Sequence, residues 1–382
     1  MSTEDQTITL EVNRTAIGET RLVSEPHVSG GLDEGQARLR IDRFALTANN
    51  ITYAAFGDML GYWDFFPTGD DNFGRVPAMG WATVVESTVD EVAVGNRYYG
   101  WFPMASHVVF TPTPNADGFR DDGPHRHAHA PVYRAYVRTD RDPMFPAADN
   151  DGSTTDGEDR HALLRGLVLT GFLAEEFFAD GGGSGETYFA MPRVIVLSAS
   201  SKTAIGFAQR ASLRGDVEVV GVTSNGNREF VERLGFYDQV VSYDEVATIA
   251  TEGGAVSIDM AGNPTALAAV HDHFGDSLAY SMTVGRSHHD SKPDPDAPSM
   301  VGPTPQMFFA PSEVTRRQEE WGRDEYARRC TDAIVDFAVV SRDWLTVEQR
   351  NGADDAQSAW HDVYAGSVAP SIGVIARMAD VG

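Results

Sequence analysis

The sequence predicts an α/β protein in which a β-rich half precedes a doubly wound parallel sheet. Up to residue 110, short runs of alternating apolar and polar residues are separated by glycine turns, which is typical of strands in a small barrel. From residue 194 onward, short β-branched runs alternate with helical patterns. This alternation predicts strand–helix–strand units and therefore a parallel sheet.

The first predicted domain covers residues 1–160 and is completed by residues 341–382. Residues 111–160 are rich in Pro, Asp, Gly and His, and the acidic run 149–159 predicts a solvated loop. The strands predicted in this domain are Ile8–Val12, Ala37–Ile41, Val76–Glu86, Glu91–Gly100 and Ser106–Phe110.

The second predicted domain covers residues 161–340 and contains the parallel sheet. Its predicted strands are Val194–Leu197, Val217–Thr223, Gln239–Ser242, Ala255–Met260 and Leu278–Val284. Helical patterns occur at His161–Asp180, Asn227–Leu234, Thr265–Phe274 and Ser312–Val340, and again at Asp354–Gly366.

The composition argues against several classes of partner. Acidic residues number 56 against 30 basic ones, and the net charge of −26 repels nucleic acid and anionic membranes. The basic residues include only two lysines, Lys202 and Lys292, and this acidic, lysine-poor composition is typical of halophilic proteins. No apolar run reaches the roughly 20 residues of a membrane span, and the N-terminal MSTEDQ is too polar for a signal peptide. We therefore expect a cytoplasmic protein with a small-molecule substrate, and the composition leaves a homodimer open.

The turn after the first strand of the sheet is the strongest candidate for binding an anion. Val194–Leu197 leads into small hydroxyl residues and then into a helix, whose first N–H groups have no partner within the helix. Ser200, Ser201 and Thr203 add hydroxyl groups, and Lys202 adds a positive charge. An ordinary strand-to-helix turn remains the alternative. Ser-Lys-Thr also suggests a phosphate loop, but Val196 stands where that motif needs its first glycine, so we set this interpretation aside.

Four stretches carry a further pattern: Asn50–Tyr62, Pro77–Arg97, Val194–Gln209 and Ser257–Gly262. In that order they resemble the N-x-x-D and G-x-Y stretch, the P-x-x-G-x-E and V-G-D-R-V pair, the cofactor turn and the D-x-x-G strand end of one enzyme group. This group is the zinc-independent quinone and enoyl reductase branch of the medium-chain dehydrogenase/reductase superfamily. The resemblance implies a GroES-like barrel, a Rossmann domain and a substrate cleft between them.

The sequence departs from that pattern at several positions. Ser198, Ser201 and Ala204 replace three glycines of the cofactor turn, while Tyr53 and Trp81 replace two acidic residues. The active site of the relatives therefore cannot be transferred unchanged. More narrowly, the stretches 125–138, 167–178 and 198–204 are together similar to a family known as DUF2855, for which no activity is settled.

The residues after the second strand favour NADP(H) as the cofactor. NAD sites usually end this strand on a carboxylate, whereas here Thr223, Ser224 and Arg228 follow it and suit a 2′-phosphate. A solvated Arg228 without a ligand is the alternative. The full predicted cofactor site is Ser198, Ser200, Ser201, Lys202, Thr203, Thr223, Ser224, Arg228, Ala261, Gly262 and Gly285.

Hydride transfer to a carbonyl, enone or quinone-like substrate needs a proton donor, and the resemblance places Tyr62 at the position of the enoyl reductase tyrosine. Tyr53 is a second candidate, and Asn50 or its neighbour Asn49 could orient the nicotinamide. A buried tyrosine with a satisfied hydroxyl is the competing interpretation. The aromatic residues Trp63, Phe65, Phe66, Trp101 and Phe102 suggest an apolar substrate pocket or simply a core.

The histidines raise a metal hypothesis. His125, His127 and His129 alternate, so an extended chain would place them on one side, and His288 and His289 form a second cluster. Cys330 is the only cysteine, and the zinc-dependent enzymes rely on an early cysteine ligand, so we expect no catalytic metal. Two alternatives to a reductase remain: a non-catalytic NADP(H)-binding protein, and a metal-dependent hydrolase that uses the histidines.

Overall fold

The computed structural model describes residues 6–27, 31–145, 154–284 and 300–379. The chain divides into two compact units. The first unit comprises Met1–Leu163 and Leu345–Gly382, and the second unit comprises Leu164–Trp344. Within the described residues, no helix combines the length and the apolar character that crossing a membrane requires.

The strands are numbered along the described part of the chain. The first ten are β1 (Gln6–Asn13), β2 (Thr20–Pro26), β3 (Ala37–Leu46), β4 (Phe73–Gly74), β5 (Pro77–Ser87), β6 (Arg97–Pro103), β7 (His107–Phe110), β8 (Pro112–Pro114), β9 (Gly118–Asp121) and β10 (Ala135–Arg138). They are followed by β11 (Arg193–Leu197), β12 (Glu218–Thr223), β13 (Gln239–Ser242), β14 (Ala255–Asp259), β15 (Leu278–Thr283), β16 (Gln306–Met307), β17 (Thr346–Asn351) and β18 (Ile372–Arg377).

The α-helices of the same residues are α1 (Ala48–Ala55), α2 (Gly57–Leu60), α3 (Pro131–Arg134), α4 (Thr155–Ala179), α5 (Lys202–Arg214), α6 (Arg228–Leu234), α7 (Pro264–Phe274), α8 (Ala310–Trp321), α9 (Arg323–Ser341) and α10 (Ala353–Tyr364).

The first unit is built mainly from antiparallel strands. Its larger sheet has the order β17-β18-β3-β5-β6-β10-β9-β8, with β7 also pairing with β3, and a smaller sheet has the order β2-β1-β4. The pairs β3–β5 and β5–β6 are antiparallel, while β17 and β18 pair in parallel. The C-terminal strands thus return to the first unit and extend its sheet. Its core contains fully buried side chains such as Leu10, Leu39, Phe44, Phe102 and Trp360.

A buried ion-pair network joins the start of α4 to strands of the first unit. Arg43 lies 2.7 Å from Glu158 and 2.8 Å from Asp159, and Arg97 lies 2.6 Å from Glu158. Trp81 donates its indole N–H to the Glu158 carbonyl oxygen at 3.1 Å. Both carboxylates are 2% exposed. The predicted solvated loop is therefore wrong for residues 154–159, because arginines on two strands pair with these acids; residues 149–153 lie outside the described part.

The second unit contains one parallel sheet in the order β13-β12-β11-β14-β15-β16. Every neighbouring pair in this sheet is parallel. Numbered within the sheet, this order is 3-2-1-4-5-6, the doubly wound arrangement in which ligands bind where the strand order reverses. That reversal lies between the carboxyl ends of β11 and β14. The predicted combination of a β-rich domain and a doubly wound parallel sheet is confirmed.

Close packing between α4 and α5 depends on a glycine. A Cβ atom on Gly171 would lie 2.7 Å from the backbone nitrogen of Phe207 and 2.7 Å from the carbonyl oxygen of Thr203. Real Cβ atoms do not approach backbone atoms so closely. Gly171 therefore lets the two helices approach each other, behind the first turn of α5.

Two predicted elements have different boundaries in the structure. The strand predicted at Glu91–Gly100 begins only at Arg97, because Gly95 adopts φ 90° in a tight turn that donates its N–H to the Val84 carbonyl. The helical region predicted at Ser312–Val340 is two helices, since Gly322, with φ 82°, separates α8 from α9.

Candidate functional site

The turn after β11 places its serines in three different environments. Ser198 has φ 58°, the left-handed conformation that favours glycine. Ser200 accepts a hydrogen bond from the Asn227 side chain at 3.0 Å. Ser201 is the N-cap of α5, and its hydroxyl oxygen accepts the Ala204 N–H at 3.2 Å. Ser198 thus has a glycine-like backbone, whereas Ser200 and Ser201 act through their side chains.

Lys202 and Thr203 are the first two residues of α5, and both are half-buried. Burial lowers the pKa of the Lys202 ammonium to about 8. A cation at a helix N-terminus is unfavourable, because this end of the helix carries partial positive charge. The position of Lys202 therefore favours a bound anion, which would compensate both the ammonium and the helix dipole.

The end of β12 presents hydroxyl groups and an arginine that already has partners. Thr223 is fully buried, and its hydroxyl oxygen has no hydrogen-bond partner among the described residues. Ser224 is half-buried beside it. The Arg228 guanidinium lies 2.9 Å from Glu232 and 2.7 Å from Glu245. Since all three charged side chains are about 40–50% exposed, these ion pairs are weak and a phosphate could compete for Arg228.

The end of β14 carries a buried carboxyl group. Asp259 Oδ1 accepts the backbone N–H groups of Ala261 and Gly262 at 3.1 and 3.0 Å, so these two N–H groups have a partner within the turn. Asp259 Oδ2 is buried without a hydrogen-bond partner in the described residues. Burial raises the pKa of Asp259 to about 6. Gly285, the last residue predicted for the cofactor site, lies outside the described residues.

Tyr243 belongs to the same edge of the sheet, and sequence reasoning missed it. It follows β13 directly, and its hydroxyl lies close enough to the side chains of Ser198 and Asn263 for both to lower its pKa, although burial raises that pKa overall. An aromatic residue after a strand has no distinctive sequence signal. Only the neighbouring positions of the strands bring Tyr243 beside Ser198.

The Thr223 hydroxyl, Asp259 Oδ2 and the first turn of α5 are groups to which a dinucleotide could bind. The Thr223 hydroxyl and Asp259 Oδ2 are buried, have no hydrogen-bond partner within the described part of the chain, and lie on the two strands that flank β11. A ribose offers hydroxyl groups to such atoms, and a pyrophosphate offers negative charge to the first turn of α5. The carboxyl edge of this one sheet thus holds five of the residues predicted for the cofactor site: Ser198, Lys202, Thr223, Ala261 and Gly262.

The first unit holds a second candidate site, a cluster of tyrosines. The rings of Tyr53 and Tyr62 lie 4.6 Å apart, and Tyr133 lies 5.8 Å from Tyr62. The hydroxyl oxygens of Tyr62 and Tyr133 are 3.3 Å apart, and the Tyr53 hydroxyl accepts the Trp101 indole N–H at 3.3 Å. Burial raises the pKa of Tyr62 to about 12 and that of Tyr53 still further. The structure therefore brings both predicted tyrosines together and adds Tyr133.

Asn50 has a structural role in the same region. Its side-chain oxygen accepts the Thr47 backbone N–H at 2.7 Å, which completes a capping box at the start of α1. Its side-chain N–H₂ group donates to the Pro77 carbonyl at 3.0 Å. Both ends of the amide are thus engaged within the protein. Asn49, by contrast, lies beside the Tyr53 hydroxyl and lowers its pKa.

The predicted aromatic pocket residues are largely core. Trp63, Phe65, Phe66 and Phe102 are each at most 6% exposed and pack in the hydrophobic core of the first unit. Trp101 is half-buried and reaches the Tyr53 hydroxyl. Of the five aromatic residues, Trp101 therefore has the clearest link to the tyrosine cluster.

The histidines are not arranged as the alternating pattern suggested. Residues Pro124–Arg126 form a 3-10 helix rather than an extended strand, so His125, His127 and His129 do not face one side. His127 and His129 instead contact the carbonyl oxygens of Asp122 and Gly61. In the described ranges, no three His, Cys, Asp or Glu side chains are grouped to hold a metal ion. His288 and His289 lie outside those ranges.

Several solved structures share the fold of the chain. CurA from Vibrio vulnificus, solved in complex with NADPH, is 12% identical, with 98% of this chain and 99% of CurA covered and a TM-score of 0.63. A mutant form of enoyl thioester reductase from Candida tropicalis is 11% identical, with 97% and 99% covered and a TM-score of 0.55. The Etr1p/NADP/crotonyl-CoA complex matches with the same identity, coverage and score. The predicted fold, a GroES-like barrel plus a Rossmann domain, is thereby confirmed.

Comparison at the level of sequence gives one family. No curated protein sequence matches the chain. The model of the family described as "Protein of unknown function (DUF2855)" matches residues 44–369. This match covers most of the chain and includes the stretches 125–138, 167–178 and 198–204, whose similarity to this family the sequence had indicated. The chain therefore belongs to the DUF2855 family.

Proposed function

We propose that the chain is a zinc-independent oxidoreductase that transfers hydride between NADP(H) and a carbonyl, enone or quinone-like small molecule. One observation carries the proposal. In the 3-2-1-4-5-6 sheet, Lys202 follows β11, and the carboxyl ends of the two strands that flank β11 carry the Thr223 hydroxyl and Asp259 Oδ2. These two buried atoms have no hydrogen-bond partner among the described residues, and they lie at or next to the point where the strand order reverses. The solved structures support the choice of cofactor, because CurA was solved with NADPH and Etr1p with NADP and crotonyl-CoA.

The residues would hold the cofactor in distinct ways. The first turn of α5, with Lys202 and the hydroxyls of Ser200 and Thr203, suits the pyrophosphate. Thr223, Ser224 and Arg228 suit the ribose and its 2′-phosphate, with Arg228 exchanging a weak carboxylate pair for a phosphate. When bound, NADPH supplies a hydride to the substrate.

The tyrosine cluster supplies the proton that must accompany the hydride. A general acid has to be protonated before the reaction, and the pKa of Tyr62, raised to about 12 by burial, keeps its hydroxyl neutral at physiological pH. Tyr62 would donate its O–H proton to the substrate carbon or oxygen that gains the electron pair. The resulting phenolate would then take up a proton from water. This assignment needs no metal ion.

Equilibrium titration tests the cofactor assignment. Protein fluorescence and NADPH absorbance would be followed while NADPH or NADH is added, and NADPH should bind more tightly. Arg228→Glu should weaken NADPH binding by about 1.5–3 kcal/mol, the worth of a hydrogen bond to a charged group, and change NADH binding little.

Arg233→Glu is the matched control, because Arg233 lies on the same short helix and, among the described residues, forms its ion pair with Glu229 at the surface. It should leave both affinities unchanged. Equal or tighter binding of NADH by the unmodified protein would contradict the proposed specificity. Absence of binding to either nucleotide would contradict the oxidoreductase itself.

The alternative is a protein that binds NADP(H) without catalysis. The departures from the glycine pattern at Ser198 and Ser201 favour it, since they change the surface that the pyrophosphate approaches. The two proposals differ in one measurement. Tight NADPH binding without NADPH consumption, across a panel of enones, quinones and aldehydes, would favour the binding protein.

A further inference from the structure

The stretch 125–138 contains the histidines, yet neither a metal nor the cofactor accounts for its residues. Besides His129, which contacts the Gly61 carbonyl oxygen, two of its side chains contact the segment that carries Tyr62. Tyr133 reaches the Tyr62 hydroxyl at 3.3 Å, and Arg126 reaches the carbonyl oxygen of Phe65, three residues after Tyr62, at 3.0 Å. The stretch is therefore built against the proposed proton donor.

We propose that Tyr133 is the positioning residue of Tyr62: its hydroxyl donates to the Tyr62 oxygen, which orients the Tyr62 proton toward the substrate and stabilises the phenolate left by proton transfer. This inference rests on the proposed function for the role of Tyr62 in catalysis. The hydrogen bond between Tyr133 and Tyr62 does not depend on the proposed function, because it is inferred from the geometry of the first unit alone.

The direction of the hydrogen bond is fixed once Tyr62 has given up its proton. The phenolate oxygen that remains carries no hydrogen and can only accept, so the Tyr133 hydroxyl, 3.3 Å away, must donate to it. Donation in the same direction before proton transfer leaves the proton of Tyr62 free for a third group.

Arg126 links the two backbone segments that carry Tyr62 and Tyr133. Its side chain is fully buried, and its guanidinium donates to the backbone carbonyl oxygens of both Phe65 and Tyr133. The Asp121 carboxylate lies 3.4 Å from Arg126 Nε and balances its charge. The planar fork of an arginine suits such a double contact, because its donors have fixed directions. The segments that carry Tyr62 and Tyr133 are thus joined through one side chain.

The ring of Tyr133 packs independently of its hydroxyl. It lies 5.4 Å from Trp101 and 5.3 Å from Phe65. Tyr133→Phe keeps these ring contacts and removes only the oxygen. Tyr136→Phe is the matched control, since Tyr136 belongs to the same stretch but donates its hydroxyl to the Trp101 carbonyl at 2.7 Å rather than to Tyr62.

The experiment measures the ionisation of Tyr62 directly. Tyr62 is replaced by fluorotyrosine, whose lower pKa brings ionisation into a pH range that the fold tolerates, and fluorine NMR follows its titration. In the Tyr133→Phe background the pKa of residue 62 should rise, so that the ionised fraction at a given pH falls about tenfold, the worth of a hydrogen bond to a charged group. In the Tyr136→Phe background it should not change.

An unchanged pKa in the Tyr133→Phe background would overturn the inference. This readout needs neither cofactor nor turnover, so it remains decisive if the chain proves to lack reductase activity. If the chain is a reductase, Tyr133→Phe should lower kcat about tenfold at unchanged KM. Loss of activity without a change in the pKa of Tyr62 would refute the positioning role and leave the proposed function standing.

Discussion

The edge of the parallel sheet and the tyrosine cluster are built in opposite ways. The residues around β11 are close in sequence, since Ser198, Ser200, Ser201 and Lys202 lie within one turn. The tyrosine cluster draws Tyr53, Tyr62, Trp101 and Tyr133 from four separate segments. A local turn can change its residues and still bind through backbone N–H groups. A cluster assembled from distant segments depends instead on each hydroxyl that the fold brings in.

The largest expected effect tests the chemical role of the cluster. Tyr62→Phe should lower kcat by about 10²–10⁴-fold, the usual contribution of a general acid, because phenylalanine has no proton to donate. The affinity for NADPH should stay within about twofold, since the turn at β11 is unchanged. Steady-state kinetics and a binding titration on the same preparation measure both quantities. A variant that retains full kcat would assign the proton donor to another group.

A second prediction concerns the buried carboxyl of the sheet edge. Asp259 has a pKa of about 6 in the folded protein and about 4 when unfolded, so the folded state binds the extra proton between these values. Stability should therefore fall as pH rises from about 4 to 6, because ionisation of the buried group is unfavourable. Asp259→Asn keeps an acceptor for Ala261 and Gly262, and should stabilise the fold by about 2–3 kcal/mol at pH 7 and not at pH 4. Urea unfolding at both values checks this, and an equal effect at both would contradict it.

A third prediction separates binding from chemistry. Lys202→Ala should weaken NADPH binding about tenfold, or about 1.4 kcal/mol, and the loss should shrink as salt rises. The affinity of the unmodified protein should also fall as pH rises above about 8, where the Lys202 ammonium loses its proton. Lys202→Arg keeps the charge and serves as the control. Unchanged affinity together with lowered stability would make Lys202 a structural residue.

The smallest effect distinguishes two serines of the same turn. Ser198→Gly should stabilise the fold by about 0.5–1 kcal/mol, because glycine adopts φ 58° without the strain of an L side chain and loses part of that gain to chain entropy. Ser201→Gly should instead destabilise by a few tenths of a kcal/mol, since it removes the N-cap hydroxyl. Thermal unfolding of both variants gives the two signs. Equal signs would mean that the turn does not distinguish the two positions.

The same contrast explains how much could be predicted from the sequence. The β11 turn was predictable because the strand, the turn and the helix follow one another in a single continuous stretch of sequence. Ser198 even adopts the left-handed backbone conformation that a glycine would have at this position. The resemblance to reductases also indicated Tyr62. Tyr133 was not predictable, because nothing near it in the chain records its contact with Tyr62. The same holds for Glu158 and Asp159, whose acidic surroundings indicate a solvated loop until Arg43 and Arg97 are placed beside them.

That buried network has a consequence for how the protein tolerates its surroundings. Mobile ions weaken the attraction between charges that water surrounds, and they reach buried pairs far less. Glu158 and Asp159 are each only 2% exposed. The strength of their ion pairs should therefore be nearly the same in dilute buffer and in concentrated salt. The exposed charges of this chain, whose formal net charge is −26, will respond to changes of ionic strength. The ion pairs that attach α4 to the strands of the first unit should therefore change little in strength with salt concentration. Exposed ion pairs on the surface of this unit should weaken first as the salt concentration rises.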